Sequence, residues 1–157
     1  MSSNVTKSKA SDKGNLIPVA PELFLPQLPQ LPEYIALFLS DVSRDRLLSW
    51  WQNTIQVPLL SEVLADHITL VYDPTPEERP DFESLVGSQG FAKVIGWAAN
   101  DKAQAVWVRC VPKSKNTHAH VTLATHDTPA VYSNELLWRS TLIDGPYLDG
   151  FVDIRRD

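Results

Sequence analysis

The sequence is poor in cysteine, in long apolar runs and in positive charge, and each shortage excludes a class of protein. Cys110 is the one cysteine in 157 residues, so an internal disulfide is impossible and a reducing compartment is favoured. No apolar run approaches the ~20 residues that span a bilayer. The Ser- and Lys-rich N-terminal residues contain no apolar block, which excludes a secretory signal. These features predict an intracellular protein, cytoplasmic or nuclear, without a membrane partner.

Positive charge is scarce overall but concentrated in one segment. The chain has 14 Lys and Arg against 19 Asp and Glu, a net charge of −5, which excludes a globally basic nucleic-acid binder. Residues 102–126, however, contain no Asp or Glu. This segment is either a solvated loop or a local patch that attracts a phosphodiester. It carries Lys102, Arg109, Lys113, Lys115, His118, His120 and His126.

The length and the composition predict one folded domain with an N-terminal extension. A chain of 157 residues that is 43% hydrophobic can bury a sizeable core. Residues 1–15 are polar and are predicted to be a disordered tail. Residues 16–33 are rich in proline and predict an extended arm. The arm either packs its apolar side chains on its own domain, which we favour, or binds a protein partner. Residues 34–157 form the predicted domain.

Hydrophobic patterns within this domain predict a mixture of strands and helices. Strands are predicted at residues 34–39, 67–72, 91–99, 103–111, 119–125 and 151–154. Helices are predicted at 44–55 with Ser43 as N-cap, at 80–86, and from 127–129 through Trp138. Cys110 falls in an apolar strand, which favours a core position over a catalytic thiol. The predicted fold class is α+β, with two small antiparallel sheets around a central cleft and helices outside.

Two matching tetrapeptides carry the chemistry: His67-Ile68-Thr69-Leu70 and His120-Val121-Thr122-Leu123. Successive side chains of a strand point to opposite faces, so each strand presents an imidazole and a hydroxyl above an apolar back. A neutral imidazole can take a proton from water and an imidazolium can protonate a leaving oxygen. Hydroxyls can donate to phosphate oxygens as charge builds on them. The alternative, two structural histidines, is weakened by the repetition of the whole pattern.

The repeated pattern resembles the two-histidine (2H) phosphoesterases, whose signature is H-x-T followed by an apolar residue. The segment 115–137, with His-Ala-His-Val-Thr-Leu and then Pro-Ala-Val-Tyr-Ser-Asn, looks most like the cyclic phosphodiesterase domain of tRNA ligases. The resemblance implies a bilobal fold and hydrolysis of a 2′,3′-cyclic phosphate at RNA 3′ ends to a 2′-phosphate. It also implies a role in RNA processing, repair and tRNA splicing, with no cofactor.

The resemblance and the chemistry together nominate the site residues. His120 is expected to be the base and His67 the acid, with Thr69 and Thr122 holding the phosphate. The predicted substrate-binding residues are Lys113, Lys115, His118, Tyr132 and Asn134. Lys113 and Lys115 would contact phosphate, Tyr132 would stack on a base and Asn134 would contact its edge. Alternatively Ser133 and Asn134 cap a helix. No metal site is predicted, although His118, His120 and His126 were natural candidates.

Two other functions fit the same residues. The site could cleave 2′,5′-linked or cyclic signalling oligonucleotides, in which case the ligand is a small cyclic nucleotide. The domain could also bind a nucleotide or an RNA end without turnover. No G-x-x-x-x-G-K-[ST] motif is present, which argues against the kinase part of a tRNA ligase. The domain is therefore either a stand-alone enzyme or an excised domain.

Overall fold

The computed structural model describes residues 32–156. The predicted tail, residues 1–15, and residues 16–31 of the predicted arm lie outside the described residues. Within 32–156 the chain is mostly strand, with few helices. Strands are β1 (Glu33–Leu39), β2 (Glu62–Val63), β3 (His67–Tyr72), β4 (Gln89–Ala99), β5 (Ala103–Val111), β6 (His120–Thr125), β7 (Thr141–Leu142) and β8 (Tyr147–Arg156). Helices are α1 (Asp41–Trp50), continued by a π-helical turn Trp51–Ile55, α2 (Arg79–Glu83) and α3 (Ser133–Leu136).

Six of the strands close into an antiparallel barrel. The order is β6-β3-β1-β8-β4-β5, and β5 pairs with β6 to complete the circle. The α+β class is confirmed, but the expected two small sheets are one continuous sheet. The reason is β8, which is much longer than the predicted 151–154. Its residues 150–156 pair with β1 on one side and its residues 147–151 pair with β4 on the other, so it joins the two halves.

The barrel interior is the hydrophobic core. Alternate residues of the strands point inward and are fully buried, among them Ile35, Leu37, Ile68, Val94 and Val121. Leu47 of α1 and Trp51 of the π-helical turn add two further buried apolar side chains. Inward positions are apolar, so the outward positions are left for polar chemistry. Cys110 is buried as expected, and burial raises the pKa of its thiol above the usual 9.0.

Two local predictions were wrong in detail. The N-cap of α1 is Ser40, whose hydroxyl accepts from the Ser43 amide at 3.1 Å. Ser43 instead donates its own hydroxyl to Asp149 at 2.6 Å. The predicted helix ending at Trp138 is broken into a 3₁₀ turn (Ala130–Tyr132), α3 and a second 3₁₀ turn (Leu137–Arg139). This tightening of the backbone accompanies the burial of two adjacent leucines, which a regular helix separates on its surface.

None of the helices within residues 32–156 combines the length and the apolar character needed to cross a membrane.

Candidate functional site

The two H-x-T strands meet at a single rung of the barrel. Ile68 of β3 pairs with Val121 of β6, and no other pair joins these strands in the described part of the chain. Both of these side chains are fully buried. The pairing is antiparallel and centred on the middle residue of each motif. Each histidine therefore lies beside the threonine of the other strand.

His67, Thr69, His120 and Thr122 line one cavity of about 420 Å³ on the outer side of this junction. The two imidazoles and the two hydroxyls are thus brought together although they lie far apart in the sequence. A cavity of this size suits a small ligand or one nucleotide unit of a larger one.

His120 is held as a neutral ring with a defined tautomer. Its Nδ1 lies 2.7 Å from the backbone carbonyl oxygen of His118. A carbonyl can only accept, so Nδ1 carries the proton and Nε2 is left as the basic nitrogen. Burial lowers the pKa of His120 below its usual 6.5, and the nearby imidazoles of His67 and His118 lower it further. The hydrogen bond to His118 opposes this shift. The arrangement suits a general base.

His67 has the opposite kind of partner. Its Nδ1 donates to a carboxylate oxygen of Asp66 at 2.6 Å. This hydrogen bond lowers the pKa of Asp66 below its usual 3.8, so a negative charge stands beside the ring. Tyr34 and Phe38 contact the same ring, with centroid distances of 5.3 and 5.4 Å. The carboxylate fixes the orientation of the ring and occupies Nδ1, so Nε2 is the nitrogen left for proton transfer.

The two threonines differ in their surroundings. Thr122 is buried, and its Oγ1 lies 2.8 Å from the Oγ of Ser133 and 3.4 Å from the carbonyl oxygen of Ala130. If Ser133 donates to Thr122, the Thr122 proton can turn from that long carbonyl contact toward a ligand. Thr69 is half-buried, and its backbone carbonyl accepts from the Ser114 hydroxyl at 2.7 Å, which fixes the backbone of β3 at this point.

The cavity walls mix aromatic, aliphatic and amide groups. Tyr34 and Tyr72 come from the strands, Asn116 comes from the loop before β6 and Asn134 comes from α3. Such walls can stack on a nucleobase and hydrogen-bond to its edge. Asn134 is thus the one predicted substrate-binding residue that lines the cavity.

The other four predicted substrate-binding residues do not line this cavity. Lys115 forms an ion pair with Glu78 at 2.6 Å, which lowers the pKa of Glu78 below 4.5. The Tyr132 hydroxyl accepts from the Asn100 amide at 3.0 Å. His118 lies between two tryptophan rings. Lys113 is exposed. Their side chains are therefore engaged or directed elsewhere, and a direct contact with a ligand in the cavity would require them to move.

The sequence did not identify Asp66, Tyr34, Asn116 or Ser133 as site residues. Asp66 could have been identified from the sequence, because a carboxylate that directly precedes a candidate catalytic histidine is close enough to bind its ring. Ser133 was recognised only as a possible cap, and its contact with Thr122 depends on how the segment after β6 folds back. Tyr34 was assigned to a buried strand, and its place beside His67 follows from the β1–β3 pairing.

Across residues 32–156, no group of three or more His, Cys, Asp or Glu side chains is placed to hold a metal ion. The three histidines around β6 have separate surroundings. His118 contacts tryptophans, His120 lines the cavity, and His126 lies 3.1 Å from the Ser61 hydroxyl.

No protein-family model, no curated protein and no solved structure matches this chain.

Proposed function

We propose that the protein hydrolyses a 2′,3′-cyclic phosphate at an RNA 3′ end to a 2′-phosphate, without a metal, as a 2H-type phosphoesterase. The observation that carries the proposal is the convergence of both H-x-T pairs on one cavity, with the two imidazoles in unlike environments. The bilobal arrangement of that family and a role in RNA repair or tRNA splicing belong to the same proposal.

The first half of the reaction uses His120. Nε2 of the neutral ring accepts a proton from water as the water oxygen bonds to phosphorus. Burial supports this role because it keeps the ring unprotonated at neutral pH. The carbonyl of His118 keeps the other ring nitrogen protonated, so the basic nitrogen is the one left for water.

The second half uses His67. The bond between phosphorus and the 3′ oxygen breaks, and Nε2–H of the imidazolium protonates that oxygen. The product is a 3′-hydroxyl beside a 2′-phosphate. His67 ends neutral and His120 ends protonated, and exchange with solvent restores both. Asp66 supports this role because its carboxylate accepts from Nδ1 at 2.6 Å and leaves Nε2 as the nitrogen that faces the leaving oxygen.

The threonine hydroxyls bind the non-bridging phosphate oxygens. Because β3 and β6 are antiparallel at their single rung, one hydroxyl approaches the phosphate from each side. Donors that are fixed before the reaction stabilise the charge that develops on those oxygens. The aromatic wall formed by Tyr34 and Tyr72 then accepts the terminal base.

The test is incubation with an oligoribonucleotide that ends in a 2′,3′-cyclic phosphate, in the presence of EDTA, followed by assignment of the product phosphate. We expect a 2′-phosphate from the wild type and a loss of at least about 100-fold in His67→Ala and in His120→Ala. His126→Ala is the matched control, because this histidine lies outside the cavity. A 2′,5′-linked oligoadenylate in parallel tests the alternative substrate. Absence of turnover on every substrate, with RNA binding retained, would instead favour a non-catalytic binding module.

A further inference from the structure

A second, open groove of about 610 Å³ lies on the outer face of β4 and β5. Trp107, Lys93 and Arg109 are among its lining residues. Trp107 pairs with His120 in the β5–β6 ladder, so the groove begins one strand away from the candidate active site. Neither the proposed acid–base chemistry nor the phosphate-binding hydroxyls use any residue of this groove.

Aromatic rings connect the groove to the site. His118 contacts Trp107 at a centroid distance of 4.8 Å and Trp138 at 4.7 Å, both edge to face. The same His118 provides the carbonyl that fixes the tautomer of His120. Trp138 is 70% exposed. Most of its ring therefore faces solvent and does not contribute to the buried core. An exposed tryptophan beside a catalytic cleft is a surface on which a base can stack.

The two cations of the groove stand directly opposite each other. Lys93 of β4 and Arg109 of β5 are paired in register, and like charges opposite each other on one sheet face are destabilising. Asp144 neutralises Lys93 at 2.6 Å. Within residues 32–156 no carboxylate forms an ion pair with Arg109, whose side chain is exposed. A bound anion between the two cations would remove this repulsion.

The spacing fits a nucleic-acid strand. Paired residues on neighbouring strands are about 5 Å apart and alternate residues of one strand about 7 Å. Arg109 therefore lies roughly 9 Å from His120 by these spacings, within the reach of the next phosphate of an RNA chain that ends at the active site. Asp144 is 92% exposed, so a phosphate can replace it at Lys93 at little cost.

We infer that Lys93, Trp107, Arg109 and Trp138, here called the tryptophan groove, bind the single-stranded RNA that precedes the cyclic phosphate. This inference rests on the proposed function and narrows its substrate to an RNA strand rather than a mononucleotide. The groove is also lined by Ile95, Leu142 and Ile143. An anionic RNA strand fits better than an apolar protein segment because Arg109 forms no ion pair with a carboxylate among residues 32–156 and the tryptophan rings offer stacking surfaces.

The experiment compares a nucleoside 2′,3′-cyclic phosphate with a six-nucleotide RNA that ends in the same cyclic phosphate. The variants are Arg109→Gln and Trp138→Ala, with Arg46→Gln as the control, since Arg46 lies on α1 and lines neither cavity. We expect the wild type to favour the oligonucleotide at least tenfold in kcat/KM. Each groove variant should lose about tenfold on the oligonucleotide and less than twofold on the mononucleotide.

Salt dependence gives a second readout. Loss of one phosphate contact should reduce the slope of log affinity against log salt by about 0.7 for single-stranded RNA. Arg109→Gln should show this reduction in fluorescence-anisotropy titrations of a 3′-hydroxyl RNA, whereas Trp138→Ala should weaken binding without changing the slope.

Failure of this inference can be separated from failure of the proposed function. Equal kcat/KM on both substrates, or equal losses on both in the groove variants, would overturn the groove and leave the reaction intact. If the wild type hydrolysed neither substrate, the proposed function would be lost, and the anisotropy titrations would decide the groove alone. RNA binding that weakens in Arg109→Gln but not in Arg46→Gln would support the tryptophan groove. RNA binding that is the same in Arg109→Gln, in Arg46→Gln and in the wild type would overturn it.

Discussion

Replacement of the bridging 3′ oxygen of the substrate by sulfur should separate the roles of the two histidines. A thiolate is a good leaving group, because thiols have a pKa near 8.5 and need no proton to depart at neutral pH. An alkoxide must be protonated as it leaves. The sulfur substrate therefore removes the need for the general acid and keeps the need for the general base.

The expected losses of activity depend on the role proposed for each ring, and that role is inferred from its hydrogen-bond partner. His67, with a carboxylate at 2.6 Å, is the proposed acid, and His67→Ala should cost about 10²–10⁴-fold on the oxygen substrate. On the sulfur substrate the same variant should fall within about tenfold of wild type. His120, whose Nδ1 is held by a carbonyl at 2.7 Å, is the proposed base, so His120→Ala should lose about 10²–10⁴-fold on both substrates.

The pH profile provides an independent readout. The base acts only when neutral, and burial lowers the pKa of His120 below 6.5. Activity should therefore rise with pH and reach its plateau at a lower pH than an ordinary histidine would give. The wild type should show a bell-shaped profile on the oxygen substrate. His67→Ala on the sulfur substrate should keep the rise at low pH and lose the fall at high pH.

The assay is steady-state release of thiol or of the 2′-phosphate product, with His126→Ala as the control and thermal unfolding to confirm that each variant is folded. Two results would refute the assignment. Equal losses of His67→Ala on the oxygen and sulfur substrates would show that His67 does not protonate the leaving group. Rescue of His120→Ala by sulfur would show that the two roles are exchanged.

Three further predictions concern stability and reactivity. Gly150→Ala should lower the free energy of unfolding by about 1–3 kcal/mol in urea titrations, because the added Cβ would clash with the carbonyl oxygen of Phe38. Gly96→Ala meets nothing closer than 3.2 Å and should cost less. Hydrogen bonds from two serine hydroxyls hold the pKa of Asp149 below its usual 3.8. The stability that these bonds contribute to the folded state is therefore present above pH 3.8 and is lost as the pH falls through the lowered pKa. Asp149→Asn should make the free energy of unfolding depend less on pH in this acid range. Burial raises the pKa of Cys110 above 9.0, so iodoacetamide at pH 8 should label it, as followed by mass spectrometry, much faster in urea than in the native protein.

Local pattern was sufficient for the strands that carry the chemistry. Alternation of apolar and polar residues located β3 and β6 and assigned their faces, and both strands are confirmed. The pattern works for β3 because a strand with one buried face leaves no choice about which side chains point outward. In β6 the residues after His120 are buried on both faces, and the polar residues of the motif still alternate with apolar ones. The prediction that His67 and Thr69 share a face followed from this alone.

Barrel closure could not be predicted in the same way. It depends on pairings between distant residues, such as Trp107 with His120 and Phe38 with Phe151. The residues around each strand do not indicate which other strand it pairs with. The length of β8 was underestimated because its first half contains Asp149 and Gly150, which are poor strand formers in isolation. Tertiary pairing overrides that preference, and with it the prediction of two separate sheets.

Side-chain partners were the least predictable part of the site. Lys115 lies close to the second motif in sequence, but its long side chain reaches Glu78 after β3 instead of the cavity. The number of lysines near a motif does not predict where their side chains point, since a long lysine side chain can reach several neighbours. Asn134, which has a short side chain and fewer alternatives, lines the cavity as expected.

The two motifs are nearly identical, and yet their histidines have different hydrogen-bond partners in the structure. The antiparallel rung between Ile68 and Val121 relates the two H-x-T pairs by an approximate two-fold axis. On symmetry alone either ring could be acid or base.

The residues just before each motif break this symmetry. Asp66 offers the first ring a carboxylate, whereas the second ring has Ala119 before it and turns to a backbone carbonyl. Burial lowers the pKa of His120, whereas His67 has a carboxylate at its Nδ1. In the proposed reaction the direction of proton transfer follows from this one difference, Asp66 against Ala119, because the two-fold axis relates the two rings and cannot by itself distinguish them.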